Sequence, residues 1–449
     1  MQAPLPPGFW EEEDRASKRR EHRMHTGRLP KALKLATLAV PLLLVLGYVA
    51  LDQLLLHRLE ARQQEYLSVQ TLYSPLAPEQ NALTYYLHAV DVEKQCLAGA
   101  GLPRSPVQIV EPLLRQAFSG AAPGLSSDER DLLDRSLAAC GEVWTHLEQA
   151  DVVADFRMST LMQYPHETTP KQMEKVVAII HELDGLHGAA DLLLARAYQD
   201  ALRQDGAAAC RSILMALRIT ERLGEGPLLT NAALRMNIAR DLLAAVRLIH
   251  ELTPLPADCR DSLMRGVRKL RHPARIANQL ATERDFFLAY TLPELRTDFP
   301  ESITEAASLL RRPWRALTVL HELDQFNDFI RAVAEPVPEA RLDRYAEANG
   351  PWLSVFKAAR PPYWVFIEKF EQVAVQSRLV ETLINVLRYQ EQFGRIPVWV
   401  KMVSDVDPEM PENVQLEDFL LQPKDEGFLL RYNGPLEQLE APPAIMWQG

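Results

Sequence analysis

The stretch LATLAVPLLLVLGYVAL, from Leu35 to Leu51, contains no charged side chain and decides the fold of this chain. A helix rises 1.5 Å per residue, so the stretch spans about 26 Å against a hydrocarbon layer of about 30 Å. Residues 54–56 are all leucine and prolong it. Pro41 lies inside it, which helices in bilayers tolerate better than helices in water. Residues 35–56 therefore predict one transmembrane helix whose partner is the lipid bilayer.

The charge before this stretch predicts its orientation. Residues 1–34 hold eight Lys and Arg against five Asp and Glu, a net charge of +3. The whole chain carries −11, which leaves −14 for the remainder. Basic segments beside a membrane helix stay in the cytoplasm. We therefore expect a single-pass signal-anchor in a bacterial inner (cytoplasmic) membrane, with the N-terminus cytoplasmic and the acidic body in the periplasm.

Two other interpretations of the apolar stretch fit less well. A buried helix of a soluble protein would not be so uniformly apolar directly after a basic arm. A cleaved signal peptide would have a shorter arm, and a cleavage site of small residues would follow it. An uncleaved anchor is favoured over both.

Composition predicts a mainly α body. Leu, Ala, Glu and Arg are abundant, while glycine numbers only 19, and these abundant residues lose little freedom in a helix. The 32 prolines then mark helix boundaries. The expected architecture is one transmembrane helix, a multi-helix body of solenoid or bundle type, and a small β-containing C-terminal cap. An acidic body argues against nucleic acid as a partner, since binding phosphates requires a basic surface.

Proline and glycine positions divide the chain into six segments. They are a basic arm (1–34), the anchor (35–56), a stalk (57–77), a helical body (78–360), a long helix with a small β cap (361–436) and a loose tail (437–449). The stalk shows a short 4-3 apolar spacing, which makes it a candidate contact for a homodimer.

The same signals predict individual elements. The expected helices are Pro78–Leu97, Pro106–Phe118, Ser126–Ala150, Pro170–Gly185, Ala189–Leu223, Pro227–Leu252, Pro256–Leu270, Pro273–Phe287, Ser302–Leu310, Pro313–Ala334, Pro338–Ala348 and Pro362–Phe393. In the cap, Val398–Val403 and Phe428–Tyr432 are expected as strands of a two- or three-stranded unit.

Two regions carry a resemblance to known proteins. In residues 216–243, a helix rich in Ala, Leu and Arg is followed by a helix of the same kind that begins at a proline. In residues 389–435, a helix leads through Gly394-Arg395-Ile396-Pro397 to a hairpin that ends at Gly434-Pro435. Both resemble uncharacterised single-pass membrane-anchored helical proteins of planctomycete-type bacteria. The second also resembles the head of type II secretion pseudopilins. The resemblance implies fold and location, and assigns no role to any residue.

One segment comes close to a metal-binding motif. It is His181-Glu182-Leu183-Asp184-Gly185-Leu186-His187. A zincin places its two histidines at i and i+4, whereas these stand at i and i+6 with a glycine between them. We therefore expect no metal site here. The chain also lacks a Gly-x-Ser-x-Gly elbow, a Walker loop and a Gly-x-Gly-x-x-Gly turn. We expect no catalytic residue, no cofactor and no enzyme activity.

Four cysteines are candidates for disulfides, and none belongs to a C-x-x-C pair. They are Cys96, Cys140, Cys210 and Cys259. In an oxidising compartment four cysteines allow three pairings. Sequential pairing, Cys96 with Cys140 and Cys210 with Cys259, would join neighbouring helices. The alternative is that they are buried thiols.

Two groups of residues are candidates for an interaction surface. Trp352, Tyr363 and Trp364 belong to an aromatic cluster that could line a groove, although such clusters are usually core. Arg265 and Arg268 belong to a basic run that could face anionic lipid or an acidic partner. The alternative is a solvated face paired with nearby acids.

Three functional hypotheses follow. The first is a non-catalytic scaffold or protein-interaction module whose protein partner is unknown. The second is a hydrolase or ligand-binding ectodomain whose site is assembled from scattered residues. It predicts a deep pocket holding several titratable groups of shifted pKa. The third is an accessory component of an envelope secretion system, suggested by the pseudopilin-like end.

Overall fold

A computed structural model describes most of the chain. The described residues are 31–65, 76–119, 124–158, 169–225, 229–271, 273–295, 303–334, 363–407, 419–424, 427–434 and 443–448. The helices are α1 (Lys31–Glu65), α2 (Ala82–Ala100), α3 (Pro106–Gln116), α4 (Ser127–Ala139), α5 (Gly141–Val152), α6 (Thr169–Leu202), α7 (Gly206–Glu225), α8 (Leu229–Leu252), α9 (Ala257–Leu270), α10 (Pro273–Leu295), α11 (Ile303–Ala334) and α12 (Tyr363–Phe393). The strands are β1 (Phe419–Lys424), β2 (Gly427–Tyr432) and β3 (Ala444–Gln448), and Pro78–Gln80 and Val400–Asp405 are 3-10 helices. The predicted fold class, mainly helical with a small C-terminal β region, is confirmed.

The chain forms two compact units. The first contains residues 1–62 and 295–318, and the second contains residues 63–294 and 319–449.

Among the described residues, one helix is long and apolar enough to cross a membrane. The qualifying segment of α1 is Leu42–Gln64, with a mean hydropathy of 1.6. It overlaps the predicted anchor over residues 42–56. The predicted anchor residues Leu35, Pro41 and Leu51 all lie inside α1, and Pro41 does not end the helix. The side chains of Leu43 and Leu44 are 65% and 69% exposed, an arrangement that water disfavours and lipid accepts.

The apolar segment contains one buried acid, and a cation neutralises it. Asp52 is buried, and the Arg312 guanidinium donates to both of its carboxylate oxygens, with 2.9 Å between Nε and Oδ1. An unpaired carboxylate would be costly in apolar surroundings, so the pair removes that cost. The predicted stalk begins in α1, which ends at Glu65; residues 66–75 lie outside the described part.

The second unit is built around α6, α7 and α8. These three helices pack on one another, α2 packs on α5 and α6, and α12 packs on α8 and α9. Their apolar faces form one continuous core, in which Leu192, Ile213 and Leu242 are fully buried. Ser126 caps the start of α4, and its backbone N–H donates in return to Glu129 at 3.0 Å.

Several predicted helix boundaries are wrong. The expected break at Gly185 does not occur, because α6 continues to Leu202. A Cβ at this position would collide with the side chain of Leu87 on α2, so the glycine permits close packing of two helices rather than a turn. The segment predicted as Ser126–Ala150 is instead divided at Cys140 into α4 and α5.

Pro313 also fails to separate two helices. It lies inside the single helix α11, where it removes one backbone hydrogen bond without ending the helix. The predicted helix Pro338–Ala348 lies outside the described residues.

The C-terminal cap is a three-stranded antiparallel sheet in the order β1-β2-β3. Leu430 of β2 pairs with Leu421 of β1 and with Ile445 of β3, which sets the register. Phe428 and Trp447 stack at 6.1 Å, and the sheet shares a second apolar cluster with α12. Strand β1 was not among the predicted strands.

Two predictions for the cap are wrong. The expected strand at Val398–Val403 is largely a 3-10 helix, because Val400 and Val403 stand three residues apart and are both buried on one side. The expected loose tail at 437–449 contains β3, whose Ile445 is fully buried. The guanidinium of Arg247 on α8 also donates to the carbonyl oxygen of Met446 at 3.1 Å, which holds this strand in place.

Candidate functional site

Of the five predicted interaction residues, the structure describes the side chains of Arg265 and Arg268. Trp352 lies outside the described residues, as do the side chains of Tyr363 and Trp364 at the start of α12. Arg265 is exposed and donates to the hydroxyl of Ser262 at 3.2 Å. Arg268 is 20% exposed and pairs with two acids, whereas Arg265 is exposed.

Arg268 belongs to an ion-pair network between α9 and α12. Its Nε lies 2.8 Å from Oε1 of Glu381, and a second nitrogen contacts Asp407. Arg271 contacts the other oxygen of the same glutamate. Asn385 donates to Asp407 at 3.1 Å. Glu381 is fully buried and each of its oxygens faces a cation, so this network joins the two helices through paired charges.

The structure joins two of the four cysteines. Cys210 on α7 and Cys259 on α9 form a disulfide, with 6.1 Å between their Cα atoms. Cys96 and Cys140 are free thiols, so the sequential pairing extends to one pair rather than two. Burial raises the pKa of the Cys140 thiol to about 11, and the nearby Glu93 adds to the effect. Exchange chemistry requires the thiolate, which this site disfavours.

A polar cleft lies between α3, α6 and α8. It has a volume of about 210 Å³. It is lined by Val107, Val110, Glu111, Leu114, Arg115, His187, Asp191, Asn237, Arg240 and Asp241. Aliphatic side chains of α3 form one wall, and titratable side chains of α6 and α8 face it.

Three of the lining side chains converge. His187 and Asp191 stand at i and i+4 on α6, a spacing that places both on one face of the helix. The neighbouring helix α8 contributes Asp241. Nε2 of His187 lies 3.7 Å from Oδ2 of Asp191 and 3.8 Å from Oδ2 of Asp241. One nitrogen and two oxygens therefore surround a common point.

The electrostatics of this group are unusual for a surface. Burial raises the pKa of Asp191 to about 7, although the nearby His187 opposes this change. The pKa of His187 is also raised, mainly by its interaction with the Asp241 carboxylate. Burial opposes this change, and the charge of Asp191 adds to it. Perturbed groups that face a cleft are typical of functional sites.

Arginines complete the cleft. Arg240 donates to Oδ1 of Asp241 through Nε at 3.0 Å and through a terminal nitrogen at 2.9 Å. Oδ2 of this aspartate is thereby left facing His187. Arg115 pairs with Glu111 one turn away on α3. Among the described lining residues there is no Ser, Thr, Cys or Lys, so the cleft offers ligands and acid–base groups rather than a nucleophile.

Sequence reasoning considered His187 and gave it the wrong neighbour. The motif test paired it with His181, which is exposed two turns earlier on α6. Its actual neighbours are Asp191 and Asp241. The i and i+4 spacing of His187 and Asp191 was visible in the sequence, whereas nothing in the sequence marks Asp241.

Comparison of the chain with protein families, with curated proteins and with solved structures finds no match for it. The function must therefore be argued from the residues of the site.

Proposed function

We propose that this chain is a membrane-anchored protein whose helical body binds a small polar ligand outside the cytoplasm. The observation that carries this proposal is the cleft between α3, α6 and α8, with its partly buried, converging titratable groups. The second of the three hypotheses required such a cleft, and it therefore takes precedence over the scaffold hypothesis. Clefts that combine an aliphatic wall with a few polar groups are the usual form of a small-ligand site.

The chemistry of the cleft limits the ligand. Asp191 and Asp241 favour a cationic group, and Arg115 and Arg240 on the rim favour an anionic one. A zwitterionic ligand, or a cation bound together with an anion, matches this arrangement of charges. The volume of about 210 Å³ suits an ion or a small metabolite and is too small for a peptide segment of several residues.

Two features support an extracytoplasmic location. The basic arm before α1 predicts that the N-terminus remains in the cytoplasm. Disulfides persist in oxidising compartments, and the Cys210–Cys259 bond lies in the body beyond the anchor. We therefore place the body in the periplasm of a bacterial inner-membrane protein.

A thermal-shift experiment tests the ligand site. The full-length chain in nanodiscs would be screened against inorganic ions, amino acids, sugars and nucleotides. Asn237→Trp fills the cleft from α8, and Asn237→Leu is a milder second variant. Asn278→Trp, at an exposed position on α10, is the matched control. We expect at least one compound to raise the melting temperature of the wild type and the control but not of either cleft variant. No shift with any compound, or equal shifts in all four proteins, would refute the proposal.

An exposed apolar group supports the scaffold hypothesis as a second candidate. Phe393, Val398 and Trp399, around the turn that follows α12, are 46%, 57% and 72% exposed. Large exposed aromatic side chains are common at protein interfaces. A photocrosslinker in place of Trp399 should capture one defined partner in cells. The same crosslinker at the exposed Lys401 should not; equal capture at both positions would exclude this surface.

A further inference from the structure

The cleft contains a set of side chains suited to one class of ligand. We propose that His187, Asp191 and Asp241 bind a divalent transition-metal ion, with Zn²⁺ the best match. This inference rests on the proposed ligand-binding function and specifies the chemistry of the ligand. The site does not have the spacing of a zincin motif, because its ligands come from two helices, α6 and α8.

The distances fit an ion better than they fit direct hydrogen bonds. One ligand atom from each side chain lies within 4.8 Å of the other two. The His187–Asp191 and His187–Asp241 separations of 3.7 and 3.8 Å exceed the range of about 2.7–3.2 Å for a hydrogen bond. Around tetrahedral Zn²⁺, with bonds of about 2.1 Å, neighbouring ligand atoms lie about 3.4 Å apart. The two separations that involve His187 differ from this value by a few tenths of an ångström.

The helices hold these ligands in place. His187 and Asp191 are fixed relative to each other by one turn of α6, and α8 packs directly on α6. The residues between and beside them, Ala189, Ala190 and Leu242, are fully buried in the core. Little conformational entropy therefore remains to be lost when an ion binds.

The surrounding charges also suit a cation. The two carboxylates, once both are ionised and coordinated, supply two negative charges, which offset those of the ion. Arg240 holds Oδ1 of Asp241, and such outer contacts orient a ligand carboxylate and keep its other oxygen available. Glu111 lines the same cleft from α3, where it or a water molecule could occupy the remaining coordination position.

The ligand types select the class of metal. Imidazole favours Zn²⁺, Ni²⁺, Cu²⁺ and Fe²⁺ over Mg²⁺ and Ca²⁺, and the absence of thiolates from the described lining disfavours Cu⁺ and iron–sulfur clusters. A mixed nitrogen and carboxylate set with a free position is the usual form of zinc sites that also bind a second ligand. Arg115 and Arg240 would then attract an anion to the bound ion.

Calorimetry with Zn²⁺ tests the proposal. The full-length chain would be purified in detergent without a polyhistidine tag, stripped with EDTA and titrated with Zn²⁺ at pH 7.5. We expect one ion per chain, with affinity at least 100-fold weaker in His187→Ala and in Asp241→Asn. His181→Ala and Asp184→Asn, at exposed positions on the same helix, are matched controls that should retain wild-type affinity. Ca²⁺ and Mg²⁺ should not compete at equal concentration.

A spectroscopic measurement separates loss of ligands from loss of fold. Co²⁺ in the wild-type site should give visible d–d absorption, which His187→Ala should lose while its circular dichroism stays unchanged. No saturable Zn²⁺ binding, or equal binding in the cleft and control variants, would overturn the metal site. If another compound of the thermal-shift screen then binds in a manner that depends on Asn237, the ligand-binding function stands without the metal. If no compound binds, both proposals fail.

Discussion

The body contains two clusters of charged residues that differ in how completely they are paired. Between α9 and α12, Glu381 is fully buried and each of its oxygens meets an arginine. In the cleft, His187 and Asp191 keep 37% and 18% of their side-chain surface exposed and lie 3.7 Å apart. In the first cluster, the charged groups are paired with one another. The second leaves a space between them that an additional ion or molecule can enter.

This difference separates structural from functional charge. A buried ion pair is expensive to break, because the partner left behind is a desolvated charge. An incompletely paired group at a cleft contributes little to stability and remains available to a ligand. Both clusters contain residues singled out in the sequence, Arg268 in one and His187 in the other. Only the residues packed around them show which of the two side chains is accessible to a ligand.

The largest effect is expected from breaking the first cluster. Glu381→Ala leaves Arg271 without its carboxylate and leaves Arg268 with Asp407 alone, and we expect a loss of about 3–5 kcal/mol in the free energy of unfolding. Guanidinium denaturation of the full-length chain in detergent measures it. Glu391→Ala, whose carboxylate is exposed and pairs with Arg260 at 2.6 Å, should cost less than about 1 kcal/mol. Similar losses in both variants would contradict the assignment of the network as structural.

A smaller loss of stability is expected when His250, which lies near Arg260 of α9 and Arg388 of α12, is protonated. His250 is buried, and burial, followed by the charges of Arg260 and Arg388, lowers its pKa to about 3. Among the described residues its Nε2 has no hydrogen-bond partner. The acids nearest to these arginines, Glu391 and Asp261, are already paired with them. His187 in the cleft faces carboxylates instead, and its pKa shifts in the opposite direction.

The lowered pKa of His250 makes the fold sensitive to acid. Below about pH 6.5, the pKa of an unfolded histidine, His250 is protonated in the unfolded chain but stays neutral in the folded chain. The free energy of unfolding therefore decreases as the pH falls. At pH 5 the loss should be about 2 kcal/mol relative to pH 7.5. His250→Leu should remove that part of the pH dependence, as measured by denaturation at both pH values. The exposed His181→Ala should retain it; an unchanged pH dependence in His250→Leu would show that this residue is not its source.

The smallest effect is expected in the cleft. Asp191→Asn keeps the shape of the side chain and breaks no short ion pair, so in EDTA its free energy of unfolding should stay within about 1 kcal/mol of the wild type. The equivalent change in the network, Asp407→Asn, weakens charged contacts to Arg268 and should cost about 2 kcal/mol. Denaturation of the two variants side by side provides the measurement. A larger loss in Asp191→Asn than in Asp407→Asn would reverse the comparison.

Helix content could be predicted from the sequence, whereas helix boundaries were less reliable. Abundant Leu and Ala and scarce Gly favour helix wherever they occur, and this preference is local. Gly185 was expected to end a helix and Pro313 to begin one, and both lie inside helices. Their effect depends on what packs beside them, as the contact of α6 with Leu87 illustrates. The strand β3 was missed because five residues after two prolines give too short a pattern to recognise.

The sequence by itself determined the apolar helix, the charge difference on its two sides and the helical character of the body. Each of these follows from residues that are neighbours along the chain. Only the tertiary structure decided that Asp241 approaches His187 and that Glu381 lies between Arg268 and Arg271. These contacts join residues about 50 and 110 positions apart. They depend on which helix faces pack together, a property of the whole core rather than of any segment.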